Sequence, residues 1–149
     1  MTLKERLQAD LVTAMKANNT LNKNIIRGIM SAVKYAEVEK SEKIESDEEM
    51  LTIIQKEIKM RNDAIEEAKK GNRDDIVKLN EDELEVLKTY LPEQLSDEEI
   101  MNILKSIVEE SGASSIKDMG KLMPSAIKAI AGRAPNAAIS KVLRDLLQS

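Results

Sequence analysis

The sequence predicts an all-α protein, and three observations carry that prediction. Pro and Gly together supply only 8 of 149 residues, too few for a chain built on many tight turns. The composition is 42% hydrophobic and 34% charged, rich in long aliphatic and charged side chains that favour helices. Aromatic residues are limited to Tyr35 and Tyr90, so any core must be aliphatic. A chain of this length suits one domain or two small ones and can bury roughly 68–70% of its unfolded surface.

The elements follow in order. Thr2-x-x-Glu5 reads as a capping box, with Leu3, Leu7, Leu11 and Met15 at helical spacing behind it. Asn18-Asn19 interrupts the pattern, and a second helix is expected from Thr20 to about Lys40. Its apolar stripe is Ile25, Ile26, Ile29, Met30 and Val33. After a charge-dense stretch, Ser46-x-x-Glu49 forms another capping box before a long helix marked by Leu51, Ile54, Ile58 and Ile65. That helix should end near Gly71, a residue that tolerates positive φ. A fourth helix carries Ile76, Leu79, Leu84, Leu87 and Leu91, and Pro92 closes it.

Ser96-x-x-Glu99 then opens a helix through Ile100, Ile103, Leu104 and Ile107 to Gly112. Shorter pieces are expected from about Ser115 to Met123, Pro124 to Ala131 and Asn136 to Leu147. Pro124 and Pro135 both suit a first helical turn, where a missing amide donor costs nothing. The expected organisation is an N-terminal four-helix bundle over residues 1–92 and a smaller bundle of three to four short helices over 96–149. Pro92 biases the residue before it away from helical geometry, so the two bundles should be hinged there and fold separately.

Charge changes along the same line. Residues 1–92 carry 16 Lys/Arg against 19 Asp/Glu, well mixed, and residues 93–112 are net −5. Residues 113–144 are net +5, with Lys117, Lys121, Lys128, Arg133, Lys141 and Arg144 against Asp118 alone. An acidic chain of net charge −4 therefore contains a locally basic segment. At 100° per residue, Lys141 and Arg144 fall opposite the stripe Ile139, Val142, Leu143, Leu146 and Leu147. Lys117 and Lys121 likewise fall opposite Ile116, Met119, Leu122 and Met123. These cations should face solvent, where they can meet a polyanion or simply form an ordinary amphipathic surface. With no aromatic residue after Tyr90 to stack on bases, nucleic acid would be held by phosphate contacts and shape, as with folded RNA.

Several chemistries are excluded outright. Without His there is no imidazole base, and without Cys there is no thiolate nucleophile, disulfide or sulfur-ligated metal. No cofactor and no metal site is expected. No run of 18 apolar residues occurs and the N-terminal stretch lacks a signal-peptide core, so no membrane partner is expected and the expected location is cytoplasmic. Ser114-x-x-Lys117 has the spacing of a Ser–Lys nucleophile, but Ser31-x-x-Lys34 and Ser125-x-x-Lys128 share it. Capping by Ser114 or Ser115 explains the residues better. Gly120-Lys121 lacks the earlier Gly, the following Ser or Thr and the preceding strand of a phosphate loop. Asp74-Asp75 and Glu48-Glu49 sit at expected helix starts, where they complement the helix dipole. No catalytic residue emerges.

The stretch Gly112-Ala-Ser-Ser-Ile-Lys-Asp-Met-Gly-Lys-Leu-Met123, with Ala131-Gly-Arg-Ala134 and a terminal amphipathic helix, resembles the GatB/YqeY family. LKERLQADLVTAMKA, NIIRGIMSAVKYAE and KTYLPEQLSDEEI resemble stand-alone YqeY proteins, so the likeness spans essentially the whole chain. Ala134-Pro135-Asn136-Ala137 departs from the Ala-Asp-Gly turn common in relatives. The resemblance implies two helical bundles, the second similar to the tail of the B subunit of glutamine-dependent tRNA amidotransferase. In that enzyme the tail helps hold tRNA while the chemistry lies in other domains. The expected function is thus a non-catalytic, tRNA-associated binding module, linked to carbon–nitrogen ligases by family only. The alternative is a protein–protein adaptor that uses the N-terminal bundle without RNA contact.

Overall fold

A computed structural model describes residues 1–148. All regular structure among them is helical: α1 (Leu3–Lys16), α2 (Thr20–Lys40), α3 (Asp47–Lys70), α4 (Asp74–Lys88), α5 (Asp97–Ser111), α6 (Met119–Ile130) and α7 (Asn136–Gln148), with a 3-10 turn over Ile116–Asp118. The chain divides into two compact units, Met1–Leu91 and the remainder from Pro92. The first holds α1 to α4 and the second α5 to α7.

The helix starts follow local chemistry closely. Ser96 and Glu99 form a complete capping box, each side chain accepting the other's backbone N–H at 3.2 and 3.1 Å. Those bonds, above all the Ser96 N–H, hold the Glu99 carboxyl below the usual carboxylate range. At Thr2 only half of the box forms: Glu5 donates to Thr2 Oγ1, while the Leu3 N–H donates to Asp47 Oδ1 at 2.8 Å. A carboxylate from the start of α3 thus caps α1, so one end of each helix is held by the same residue. Ser46 caps α3 through the Glu49 N–H, but the Glu49 carboxylate accepts from the Ser46 hydroxyl and pairs with Lys40.

In the first unit, Leu7, Ile26, Ile29, Met50, Ile54 and Leu87 are buried completely or nearly so. Ile44 joins this core from the charge-dense segment between α2 and α3. Its N–H donates to Glu37 Oε2 at 2.9 Å and its carbonyl accepts from Lys4 Nζ at 3.1 Å. The connection is therefore pinned at both backbone atoms. In the second unit, α5 packs against α6 and α7, and Leu104, Ala126, Ile130, Ile139 and Leu143 form the core.

Besides the incomplete boxes at Thr2 and Ser46, four details differ from the sequence reading. Pro124 does not begin a helix: α6 runs through it, leaving the Gly120 carbonyl without an amide donor four residues on. The turn before α6 is 3-10, so Lys117 and Lys121 do not share one continuous α-helical face, and Ile116 is 43% exposed. Gly71 ends α3 at φ −92°, and the left-handed residue is Asn72 at φ 55°. Leu79 and Met15 point to solvent, 55% and 49% exposed, and Ala14 takes the buried place near the end of α1.

Ala131, which ends α6, adopts φ 53°, ψ 47°, where a Cβ is disfavoured. Ala131→Gly should stabilise the second unit by about 1 kcal/mol, raising its melting temperature by about 4–8 °C. A thermal melt followed by circular dichroism checks this. An unchanged or lower midpoint would show that the backbone freedom gained by the unfolded chain outweighs the relieved strain.

Candidate functional site

The six cations singled out by sequence all lie in the second unit. Lys121 and Lys128 stand on the outer face of α6, whose inner face carries Leu122, Ala126 and Ile130. Lys141 and Arg144 stand on the outer face of α7, opposite Ile139, Leu143 and Leu147. Lys117 is exposed on the 3-10 turn. Among the described residues none of these five makes an ion pair within the chain.

Arg133 is different. It is half-buried, its Nε donates to the Glu93 carbonyl at 3.2 Å, and its own carbonyl accepts from the Leu95 N–H at 2.8 Å. Gln94 adds bonds to the Pro92 and Gly132 carbonyls. Arg133 therefore ties the segment before α5 to the turn before α7, and part of its donor capacity is spent on that.

The electrostatics of this unit are segregated by helix. Helix α5 carries Asp97, Glu98, Glu99, Glu109 and Glu110 with Lys105 alone, whereas α6 carries two lysines and no acid. The three acids in the first turn of α5 complement its positive dipole end. The cations on α6 and α7 keep their charge for whatever lies outside.

The remaining motifs resolve into local structure. Asp118 Oδ2 accepts the N–H groups of Ser114 and Ser115 at 3.2 and 3.4 Å, so a carboxylate organises that loop. None of the three Ser–Lys pairs is joined by a hydrogen bond among the described residues. Asp75 lies beside Arg73, whose guanidinium bond holds its carboxyl below the ordinary value. No group of three acidic side chains among the described residues is placed to hold a metal ion. No described helix is long and apolar enough to cross a membrane.

A second polar cluster, in the first unit, escaped the sequence reading. The hydroxyl of Tyr90, a residue only 6% exposed, donates to Asp10 Oδ2 at 2.7 Å. The Arg6 guanidinium lies 4.6 Å from the ring centroid and donates to the Thr89 carbonyl at 2.9 Å. Burial and the Asp10 carboxylate both raise the Tyr90 hydroxyl above its ordinary value. Asp10 and Tyr90 border a cleft of about 300 Å³ with Thr13 and Thr89, whose hydroxyls donate to the Ala9 and Val86 carbonyls. The cluster clamps the end of α4 to α1. The i,i+4 spacing of Arg6 and Asp10 on α1 is a signal in the sequence that could have pointed to it.

Comparison with known proteins gives a consistent result. A family profile described as Yqey-like protein matches residues 4–147. The chain is similar to "Altered inheritance of mitochondria protein 41, mitochondrial" of Pyrenophora tritici-repentis, 33% identical over 147 residues, covering 95% of this chain and 79% of the relative. The like-named protein of Lachancea thermotolerans is 33% identical over 121 residues, covering 77% and 65%. That of Vanderwaltozyma polyspora is 30% identical over 120 residues, covering 76% and 64%. In these last two the match spans slightly less than two thirds of the relative's length.

The expected cytoplasmic location is corrected by these relatives, each of which is named a mitochondrial protein. The expectation rested on the lack of an 18-residue apolar run and of a signal-peptide core, and neither feature tells one internal compartment from another.

Proposed function

Because the chain belongs to the Yqey-like protein family, we propose that it is a non-catalytic binding module whose C-terminal unit holds folded tRNA by its phosphates. The observation that carries this reading is the set of five outward cations, Lys117, Lys121, Lys128, Lys141 and Arg144, without ion-pair partners among the described residues. Acids gather on α5, so α6 and α7 offer a cationic surface despite the chain's net charge of −4. Such contacts fix a polyanion without reading base edges. The resemblance of this unit to the tail of the amidotransferase B subunit supports tRNA as the polyanion. Arg133 acts by positioning the turn ahead of α7. The relatives' names connect them with mitochondria, and the proposal concerns the tRNA available in the compartment where the chain resides.

The test is a salt titration of tRNA binding by fluorescence anisotropy. If all five cations touch phosphate, log affinity should fall with log salt at a slope of about −3.5 to −4.5. Lys121→Gln and Lys141→Gln should each reduce that slope by about 1 and weaken binding to different tRNAs uniformly. No binding at low salt, or binding indifferent to these substitutions, would overturn the reading. A protein partner that survives nuclease treatment in a pull-down, with no RNA retained, would favour the adaptor role instead.

A further inference from the structure

Two large apolar side chains stand exposed on the outer face of α2: Tyr35 at 69% and Val38 at 79%. One turn and two turns before them on the same face lie Ser31 and Gly28. A Cβ built on Gly28 would meet nothing within 4 Å, so the space over that end of the helix is open. The positions 28, 31, 35 and 38 follow the 3-4-3 spacing of a coiled-coil seam. Bulk lies at one end of the seam and small residues at the other.

The flanks of this seam carry opposite charge. Lys34 precedes Tyr35 and Glu39 follows Val38, both exposed, and neither makes an ion pair among the described residues. Lys34 and Glu39 are five residues apart, the offset at which flanking positions of two parallel helices meet across a seam. A copy of the same helix, running in the same direction about a two-fold axis, would satisfy both charges at once. Lys34 would face Glu39 of the second copy, and the reverse pair would form by symmetry.

We propose that this face of α2 is a self-association surface whose occupant is the α2 of a second copy, in parallel. Tyr35 packs on Tyr35 of the second copy and Val38 on Val38, while Gly28 and Ser31 allow close approach of the backbones. The seam covers little more than one heptad, so the dimer is weak and reversible. This inference stands on the first unit alone and is independent of the tRNA reading.

Sedimentation of the full chain over rising concentration tests it. The expected result is an average mass climbing from 16.6 kDa towards twice that value. Val38→Glu should hold the mass at the monomer value with unchanged helical circular dichroism. Lys34→Glu should weaken association about tenfold, and adding Glu39→Lys should restore it. A chain that stays monomeric up to about 1 mM overturns the proposal. So does a Val38→Glu protein that still dimerises, or a double charge swap that fails to recover what Lys34→Glu lost.

Discussion

Leu143→Ala is expected to unfold the C-terminal unit and leave α1 to α4 folded. Leu143 is completely buried, and its neighbours in the core include Leu104, Ala126 and Ile130, also fully buried. Removing a buried leucine side chain costs about 2–5 kcal/mol, because the cavity left behind adds to the lost transfer energy. The unit has 58 residues, and a core of that size supplies only about 3–5 kcal/mol. The two quantities are comparable, so the native fraction of this unit should collapse. Amide-resolved NMR provides the check: signals from α5 to α7 should move to random-coil positions while those of the first unit stay dispersed. Collapse of both sets together would mean that the chain folds as one cooperative domain. Loss of tRNA affinity should accompany the C-terminal collapse if the proposed role is right.

Tyr90→Ala is expected to cost the first unit about 3–5 kcal/mol, the range for losing a buried aromatic ring. The hydroxyl is separable from the ring. Tyr90→Phe keeps the ring beneath Arg6 and removes only the 2.7 Å bond to Asp10, at a cost of about 1–2 kcal/mol. A pH dependence follows from the raised Tyr90 hydroxyl. The folded chain holds the phenolic proton more tightly than the unfolded chain, so above an ordinary tyrosine value of about 10 the unfolded state binds fewer protons. Stability should be fully present below that value and fall as pH rises beyond it. Urea unfolding followed at neutral pH and again above pH 10 should therefore show a loss in the wild type that is smaller in Tyr90→Phe. An equal loss in both proteins would place the alkaline sensitivity elsewhere.

What the sequence made legible was local. The Ser96 and Glu99 pair, Gly112 at φ 72° and the break at Asn18-Asn19 are set by residues within a few positions of one another. The helical stripes were readable because burial repeats with the helix period. What was not readable depends on partners distant in sequence. Asp47 caps α1 from 44 residues away, and Tyr90 finds Asp10 across 80. Ile44 is buried because Glu37 and Lys4 satisfy its backbone, which a charge-dense segment conceals. Pro124 was misread because its first-turn preference is local, whereas the packing of Leu122, Ala126 and Ile130 in one core carries α6 through it. For the cations, the outward orientation was legible, but the tie from Arg133 to Glu93 was not.

The segregation of charge in the C-terminal unit bears on how the protein behaves during purification. From Pro92 onward the chain has seven basic and eight acidic residues, a net of −1, which suggests indifference to any ion exchanger. A charged resin meets only the face turned towards it. The cationic helices α6 and α7 should therefore hold a fragment beginning at Pro92 on a sulfonate or heparin matrix above its isoelectric point, while α5 gives it affinity for a quaternary amine matrix under the same buffer. Retention on both media at one pH, each released by moderate salt, is the chromatographic signature of a molecule whose acids and cations gather mostly on different helices, with Lys105 on α5 and Asp145 on α7 as the exceptions.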